Sequence, residues 1–226
     1  MNAEGEVMRR ALRPASRAIF ILLHAAIILT GAGCGVLGVA AYKIAGPPAV
    51  EAKYVPDKTR PMLVLVENYQ HQSAGSATSD VLAHYLGRDL QDHQVAPIVP
   101  PEKLQSLRDQ RGGEFSTMSI TSIGQAVGAD QVLYVQLQSS DVTPLAGGDA
   151  FTGQAAATVK LVDARNGQTL WPTDVSNGYG VSASVRAGAE RATTPQDVRR
   201  ELNLQLTDQI SKLFRKWKPD DLSGES

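Results

Sequence analysis

The first forty residues constrain this chain more than any other segment. Residues 8–17 are rich in arginine, and residues 18–30 are almost wholly apolar. Small residues follow as Gly31-Ala32-Gly33, and they end on Cys34, the only cysteine among 226 residues. A basic region, a short apolar region and small residues before a cleavage point are the parts of a secretory signal. The sequence therefore predicts export, with residues 1–33 as a signal peptide.

The small residues that end on Cys34 resemble the lipobox of bacterial lipoproteins. This resemblance implies a diacylglycerol thioether on Cys34, cleavage between Gly33 and Cys34, and acylation (with palmitate, for example) of the new amino terminus. Two or three acyl chains anchor a protein durably, whereas one chain binds only marginally. The lipobox prefers leucine where this chain has Gly31. Gly35 replaces the aspartate that favours inner-membrane retention in such lipoproteins, so the resemblance favours the outer membrane.

Two other interpretations of the leader stay open. Residues 18–41 are long and apolar enough to span a bilayer as one uncleaved helix, and they could also form a buried core helix. Because the basic residues precede the apolar run, either membrane anchor would place the following domain outside the cytoplasm, in the periplasm.

A lone cysteine forms neither an internal disulfide nor a cysteine-based zinc site.

Composition shifts divide the rest of the chain. Residues 34–60 contain Pro47, Pro48 and Pro56 among mixed charges, which predicts a lipid anchor followed by an extended tether. Residues 61–217 have the periodic apolar pattern of one domain. Residues 218–226 contain Pro219, which stops the last predicted helix, and their polar sequence predicts a disordered tail.

The apolar spacing within residues 61–217 predicts a fold of the α/β (α+β) class. We expect a mixed sheet of about five to six strands flanked by helices, in the order β-α-β-α-α-β-β-β-β-α. The predicted strands cover residues 62–66, 95–99, 131–137, 151–163, 169–171 and 179–185. Pro97 places the second strand at an edge of the sheet, because proline cannot donate to a ladder.

The predicted helices have recognisable starts and apolar faces. Ser76 or Ser79 caps the first helix, which runs to about Gln91, and Pro101 begins the second. Ser119 caps a short third helix. The last predicted helix covers residues 195–217. Apolar positions at helical spacing form the expected buried faces: Val81, Leu82, Tyr85, Leu86 and Leu90 in the first helix; Val198, Leu202, Leu206, Ile210, Leu213 and Trp217 in the last.

Two segments carry a family resemblance. Residues 122–133 pass from a helix through Gly128-Ala129-Asp130 into a strand, and residues 159–171 form a hairpin around Asn166-Gly167. Both resemble junctions in the group of envelope proteins that includes LpoB, CsgG and the N-terminal domain of TolB. The resemblance covers about residues 61–217 and reports a fold rather than a site.

No motif for catalysis, a cofactor or a metal is visible in the sequence. His71, His84 and His93 lack the spacing of metal ligands, and the pairs Asp80/His84 and Asp89/His93 are typical of solvated helix faces. Neither the Gly-x-Ser-x-Gly elbow, the Walker loop nor the dinucleotide motif occurs. We therefore expect no enzyme activity, catalytic residue, cofactor, metal or small-molecule substrate.

The charge balance argues against a nucleic-acid partner. Removing residues 1–33 takes away four of 22 basic and two of 23 acidic residues, which leaves 18 and 21. The nearest basic group, formed by Lys212, Arg215, Lys216 and Lys218, falls in the last turns of the predicted final helix. Cations are favourable there because of the helix dipole.

These expectations combine into one functional hypothesis. The resemblance to LpoB implies a lipoprotein that is held on the membrane through Cys34 and acts as an accessory binding module for another envelope protein, as in the regulation of cell-wall synthesis. The alternative from the same group is a CsgG-like secretion component or an oligomeric structural lipoprotein. A hydrolase with a site assembled only in three dimensions is a weaker alternative.

Overall fold

A computed structural model of the chain describes residues 48–68, 77–147, 150–186 and 194–219. Residues 51–217 form one compact unit. Its strands and helices, in chain order, are β1 (Met62–Asn68), α1 (Ala77–Asp92), α2 (Pro101–Arg111), a 3-10 helix (Gly112–Thr117), α3 (Ile120–Ala126), β2 (Gln131–Pro144), β3 (Phe151–Asp163), β4 (Thr169–Trp171), β5 (Tyr179–Arg186) and α4 (Pro195–Ser211). The predicted mixed α/β class is confirmed.

The five strands form one mixed sheet. β1 pairs with β2 in parallel, with Met62 beside Gln131, and β2 pairs with β3 in antiparallel fashion. β4 and β5 both pair with the other side of β3, one after the other along its length. The predicted hairpin at Asn166-Gly167 is confirmed, and Gly167 has the positive φ of 76° that its turn requires. β1 therefore forms one edge of the sheet, and β4 and β5 share the other edge.

The predicted second strand, residues 95–99, is reduced to a single bridge between Ile98 and Met62. Met62 N–H donates to the Pro97 carbonyl, and Val99 N–H donates to the Met62 carbonyl, each at 2.8 Å. Continuing this parallel ladder would require an N–H from residue 101, which is proline and has none. The segment does lie at the sheet edge, as Pro97 predicted.

Two apolar cores lie on opposite faces of the sheet. One contains Leu82, Leu86 and Leu90 of α1 with the inward stripe of α4, packed on the alternate residues of β1, β2 and β3. The other lies under α2, the 3-10 helix and α3, against Leu63 and Leu65. The predicted apolar stripes are thereby buried, except that Val81 is 42% exposed and that Tyr85 and Trp217 are only half-buried.

Helix α4 ends at Ser211 and not at Trp217 as predicted. A continued helix would use the Leu213 carbonyl as the acceptor for Trp217 N–H. That carbonyl instead accepts a hydrogen bond of 3.0 Å from Tyr54 N–H. The regular helix is already left before that point, where Leu213 N–H and Phe214 N–H donate to the Ile210 and Ser211 carbonyls, three residues back. Residues 51–60, which the sequence placed in the tether, therefore contact the domain.

Candidate functional site

The predicted anchor residues, Gly33 and Cys34, lie outside the described residues, as do residues 18–41 and His71. Among the residues that are described, no helix combines the length and apolar character needed to cross a bilayer. The cleavage site, the lipid on Cys34 and the spanning-helix alternative therefore stay predictions from the sequence.

A groove runs along the free side of β1, between α1 and α2. Its volume is about 540 Å³, and it is partly enclosed. We call it the edge groove. Its floor and walls are mainly apolar and include Val64, Ala83, Gly87, Ile98, Val99 and Leu104. This size and lining are typical of sites that bind apolar groups.

The charges around the edge groove cancel. Asp80 and Glu102 carry two negative charges, and Arg88 and Arg108 carry two positive ones. Arg108 donates to the Asp80 carboxylate at 2.6 Å, which joins α2 to α1. The guanidinium of Arg108 also lies 5.3 Å from the ring centroid of Phe115, an arrangement that favours a cation–π contact. The groove as a whole favours a neutral, apolar occupant.

The Asp80 pairing differs from the sequence prediction. Asp80 was expected to pair with His84 on a solvated helix face, but its carboxylate binds Arg108 from another helix. His84 is exposed at the rim of the edge groove. In the second predicted pair, the Nδ1 atom of His93 lies 2.8 Å from the Asp89 carbonyl oxygen, which confirms a local contact.

A largely buried polar cluster lies around Arg60, just before β1 begins. Arg60 donates to the Asp163 carboxylate at 2.8 Å and to the Asp130 carbonyl at 2.6 Å. Burial would raise the pKa of Asp163, but hydrogen bonds from Arg165 and Arg60 outweigh it and lower that pKa to about 2. Gln131 donates to the Asp57 and Arg60 carbonyls at 3.0 and 2.9 Å. The cluster fastens residues 57–60 to the domain.

The basic residues near the C-terminus follow α4 and do not lie within it. Lys212 binds Asp208, and Lys216 binds Glu51. Arg215 donates to Ser211 Oγ at 3.0 Å and lies 3.4 Å from Asp208. Each of these three cations has an acidic partner, so they do not form the free positive patch that a polyanion would require.

The remaining candidate residues serve packing and turns. Trp171 stacks against Tyr179 and meets Phe214 edge-on, with ring centroids 5.2 and 5.5 Å apart. Gly112 ends α2 with a φ of 53°, a backbone conformation that glycine adopts readily. In the described part of the chain, no three His, Cys, Asp or Glu side chains come close enough to hold a metal ion.

No protein-family model and no curated protein matches this chain. Several solved structures share the general course of its fold. Lipoprotein GNA1162 from Neisseria meningitidis is 20% identical, covers 67% of this chain and 98% of its own, and has a TM-score of 0.45. A PelC dodecamer from Paraburkholderia phytofirmans is 14% identical, covers 75% and 94%, and has a TM-score of 0.41. A protein of Xanthomonas campestris is 12% identical, covers 74% and 88%, and has a TM-score of 0.38. These likenesses concern the fold and not a function.

The sequence did not point to the edge groove. Pro100-Pro101 was recognised as a helix start, but the two prolines also end the edge ladder and leave the groove beside Val64. Pro97 and Pro101 were the signals that could have indicated an interrupted edge strand. The apolar walls come from helices on opposite faces of the sheet, which no local pattern brings together.

Proposed function

We propose that this chain is a bacterial envelope lipoprotein, anchored through Cys34, whose α/β domain is a non-catalytic binding module for another envelope protein. The observation that supports the anchor is the run of basic, apolar and small residues that ends on the only cysteine. In this proposal the domain lies in the periplasm, at the outer membrane. More specifically, we propose that the partner is a cell-wall synthase whose activity this chain regulates, as the resemblance to LpoB implies.

The roles of the polar groups support a binding module over an enzyme. The most buried ion pair, Arg60 with Asp163, is used to fasten residues 57–60. The edge groove presents apolar walls and a paired Asp80–Arg108, with no described acid, base and nucleophile held in one hydrogen-bonded set. Such a surface suits binding better than acid–base chemistry.

A CsgG-like pore would need two long amphipathic strands that enter the membrane, whereas the long strand β3 is used within the domain sheet. β3 pairs with β2 on one side and with β5 on the other. The inward residues of β3, such as Ala157 and Val159, lie in the core beneath the helices. This pairing favours the binding-module proposal over the secretion alternative.

Lipid labelling of the full chain tests the anchor. The wild type and Cys34→Ser would be produced in a diderm bacterium that is fed a palmitate analogue carrying a clickable group. We expect the wild type to take up the label and its mature form to begin at Cys34, by mass spectrometry. The serine variant should stay unlabelled and full-length. An unlabelled, full-length wild type in the membrane fraction would instead support an uncleaved spanning helix.

Cross-linking in intact cells, followed by purification through a tag on the C-terminal tail, tests the binding role. We expect one envelope protein of a different sequence to be recovered in constant proportion to the bait. The control is a chain that lacks residues 1–33, which should lose that adduct because it is no longer exported to the membrane. Recovery of copies of this chain alone would favour an oligomeric structural role and contradict the proposal.

A further inference from the structure

The free edge of β1 exposes a hydrogen-bonding position that no other described residue fills. In a strand, the N–H and C=O of one residue point to the same side, and alternate residues share that side. On the outer side of β1, Met62 N–H donates to the Pro97 carbonyl, and the Met62 carbonyl accepts from Val99 N–H. Val64 and Val66 therefore direct their groups outward as well.

The outward groups of Val64 find no backbone partner among the described residues. The next donor along residues 97–101 would be residue 101, and proline lacks the N–H. Val64 is nevertheless almost buried, with 6% of its surface exposed, and it lines the edge groove. A peptide group that is so largely shielded has few water molecules to bond with, so a ligand that supplies a hydrogen-bond partner is favoured there.

An extended polypeptide is the ligand that fits these features. It presents N–H and C=O groups at the spacing of a strand, and its alternate side chains can enter the apolar groove beside Ala83, Ile98 and Leu104. Because the surrounding charges cancel, the segment that enters needs apolar side chains and no net charge. A rigid helix would leave the Val64 groups unpaired, because its own backbone groups are already bonded within the helix.

We propose that the edge groove receives an extended apolar segment of the partner protein, which adds to the sheet as a strand beside Val64. This inference rests on the proposed binding function and assigns it a surface. A second copy of this chain is the competing occupant. Tests must therefore identify both the position and the identity of what is bound.

Gly87 offers a variant that blocks the groove and a matched control. A Cβ added at Gly87 would lie 3.6 Å from Ile98 Cγ2, which is ordinary van der Waals contact. Gly87→Ala should therefore fold and leave the groove open, whereas Gly87→Leu should fill it. Both changes also replace a glycine within α1 by a better helix former, so the fold should be retained. Circular dichroism and thermal melting check the fold of both variants.

Site-specific photo-crosslinking in cells tests the position. The full chain would carry benzoylphenylalanine at Gln105, which lines the groove, or at Gln209, which is exposed on α4. We expect an adduct at position 105 that is reduced at least tenfold by Gly87→Leu and retained by Gly87→Ala. Mass spectrometry of the adduct should map to a short segment with alternating apolar residues in another protein.

Amide exchange tests the strand itself. A synthetic peptide of the mapped segment, added to the purified domain, should slow exchange of the Val64 amide at least tenfold. The amides of Leu63 and Leu65, which face β2, serve as internal controls and should change little.

Three results would overturn the inference. The adduct at position 105 could map to this chain, it could survive Gly87→Leu, or the Val64 amide could exchange at the same rate with the peptide present. If a partner is captured at position 209 and not at 105, the binding function stands and only the groove is wrong. If neither position captures a protein, both the groove proposal and the proposed binding function are wrong.

Discussion

At the scale of single residues, close packing limits which side chains are possible where β3 lies under α4. A Cβ added at Gly153 would lie 2.8 Å from Val198 Cγ1, a branched side chain that is fully buried. Only a residue without a side chain lets the helix approach the strand this closely. Glycine is required at position 153 because there is no room for a Cβ. Its φ is not in the positive range, so the backbone conformation itself does not require glycine.

We expect Gly153→Ala to lower the free energy of unfolding by about 1–3 kcal/mol, because overpacking forces the helix or Val198 to move. Urea denaturation measures the change. Gly180→Ala in the neighbouring strand is the control, since its Cβ would meet no atom within 4 Å. Adding Val198→Ala to Gly153→Ala should recover part of the loss relative to the sum of the single changes. Strict additivity would contradict the close contact.

Asp163 makes the domain sensitive to acid. Its pKa is about 2 in the fold, below the ordinary value of 3.8, because hydrogen bonds from Arg165 and Arg60 more than offset its burial. The stability it contributes is therefore complete above about pH 4 and is lost as the pH falls toward 2.

Replacing Asp163 by Asn should cost about 3 kcal/mol at pH 7, since Arg60 would lose its buried anionic partner. It should also flatten the pH dependence of stability between pH 4 and 2. Denaturation at a series of pH values measures both effects, with Asp174→Asn in an exposed loop as the control. An unchanged slope in that window would show that Asp163 is not the group that titrates.

At the scale of helices and strands, the first turn of α4 is stabilised by side-chain caps. Thr194 Oγ1 accepts a hydrogen bond from Asp197 N–H at 3.2 Å, and the Asp197 carboxylate accepts from Thr194 N–H at 3.0 Å. This capping box pairs two backbone donors that the helix leaves free.

Thr194→Ala should therefore lower stability by about 1 kcal/mol, whereas Thr194→Ser should stay close to wild type because it keeps the hydroxyl. Thermal unfolding distinguishes the two variants. Equal melting temperatures for alanine and serine would mean that α4 is fixed by packing alone.

Local patterns predicted most helices and strands of the domain but not where long-range contacts end them. The bounds of β3 and the cap at Ser119 followed from alternation and from a capping side chain. The last predicted turn of α4 is replaced by a contact from Tyr54, about 160 positions away, which donates to the Leu213 carbonyl. The edge groove depends on the packing of α1 and α2 around Pro101, which a local pattern does not contain.

At the scale of the whole molecule, residues 51–60 are part of what holds the domain together. They supply the Tyr54–Leu213 hydrogen bond, the Asp57 carbonyl that accepts from Gln131, and the Arg60–Asp163 ion pair. The stretch that can act as a free tether is correspondingly shorter than the predicted residues 34–60.

A domain that begins at Pro61 should melt about 5–10 °C below one that begins at Glu51, because it lacks these contacts. Differential scanning calorimetry of the two proteins measures the difference. A matched deletion of residues 220–226, which lie outside the compact unit, should leave the melting temperature unchanged. Equal melting of the two N-terminal forms would mean that residues 51–60 contribute little.

The ion pair between Glu51 and Lys216 brings the two ends of the compact unit together. A short loop could therefore join them, and new termini could be opened elsewhere, without disturbing the sheet. A bulky fluorescent reporter fused directly behind Lys216 would therefore emerge beside Glu51, where the compact unit begins.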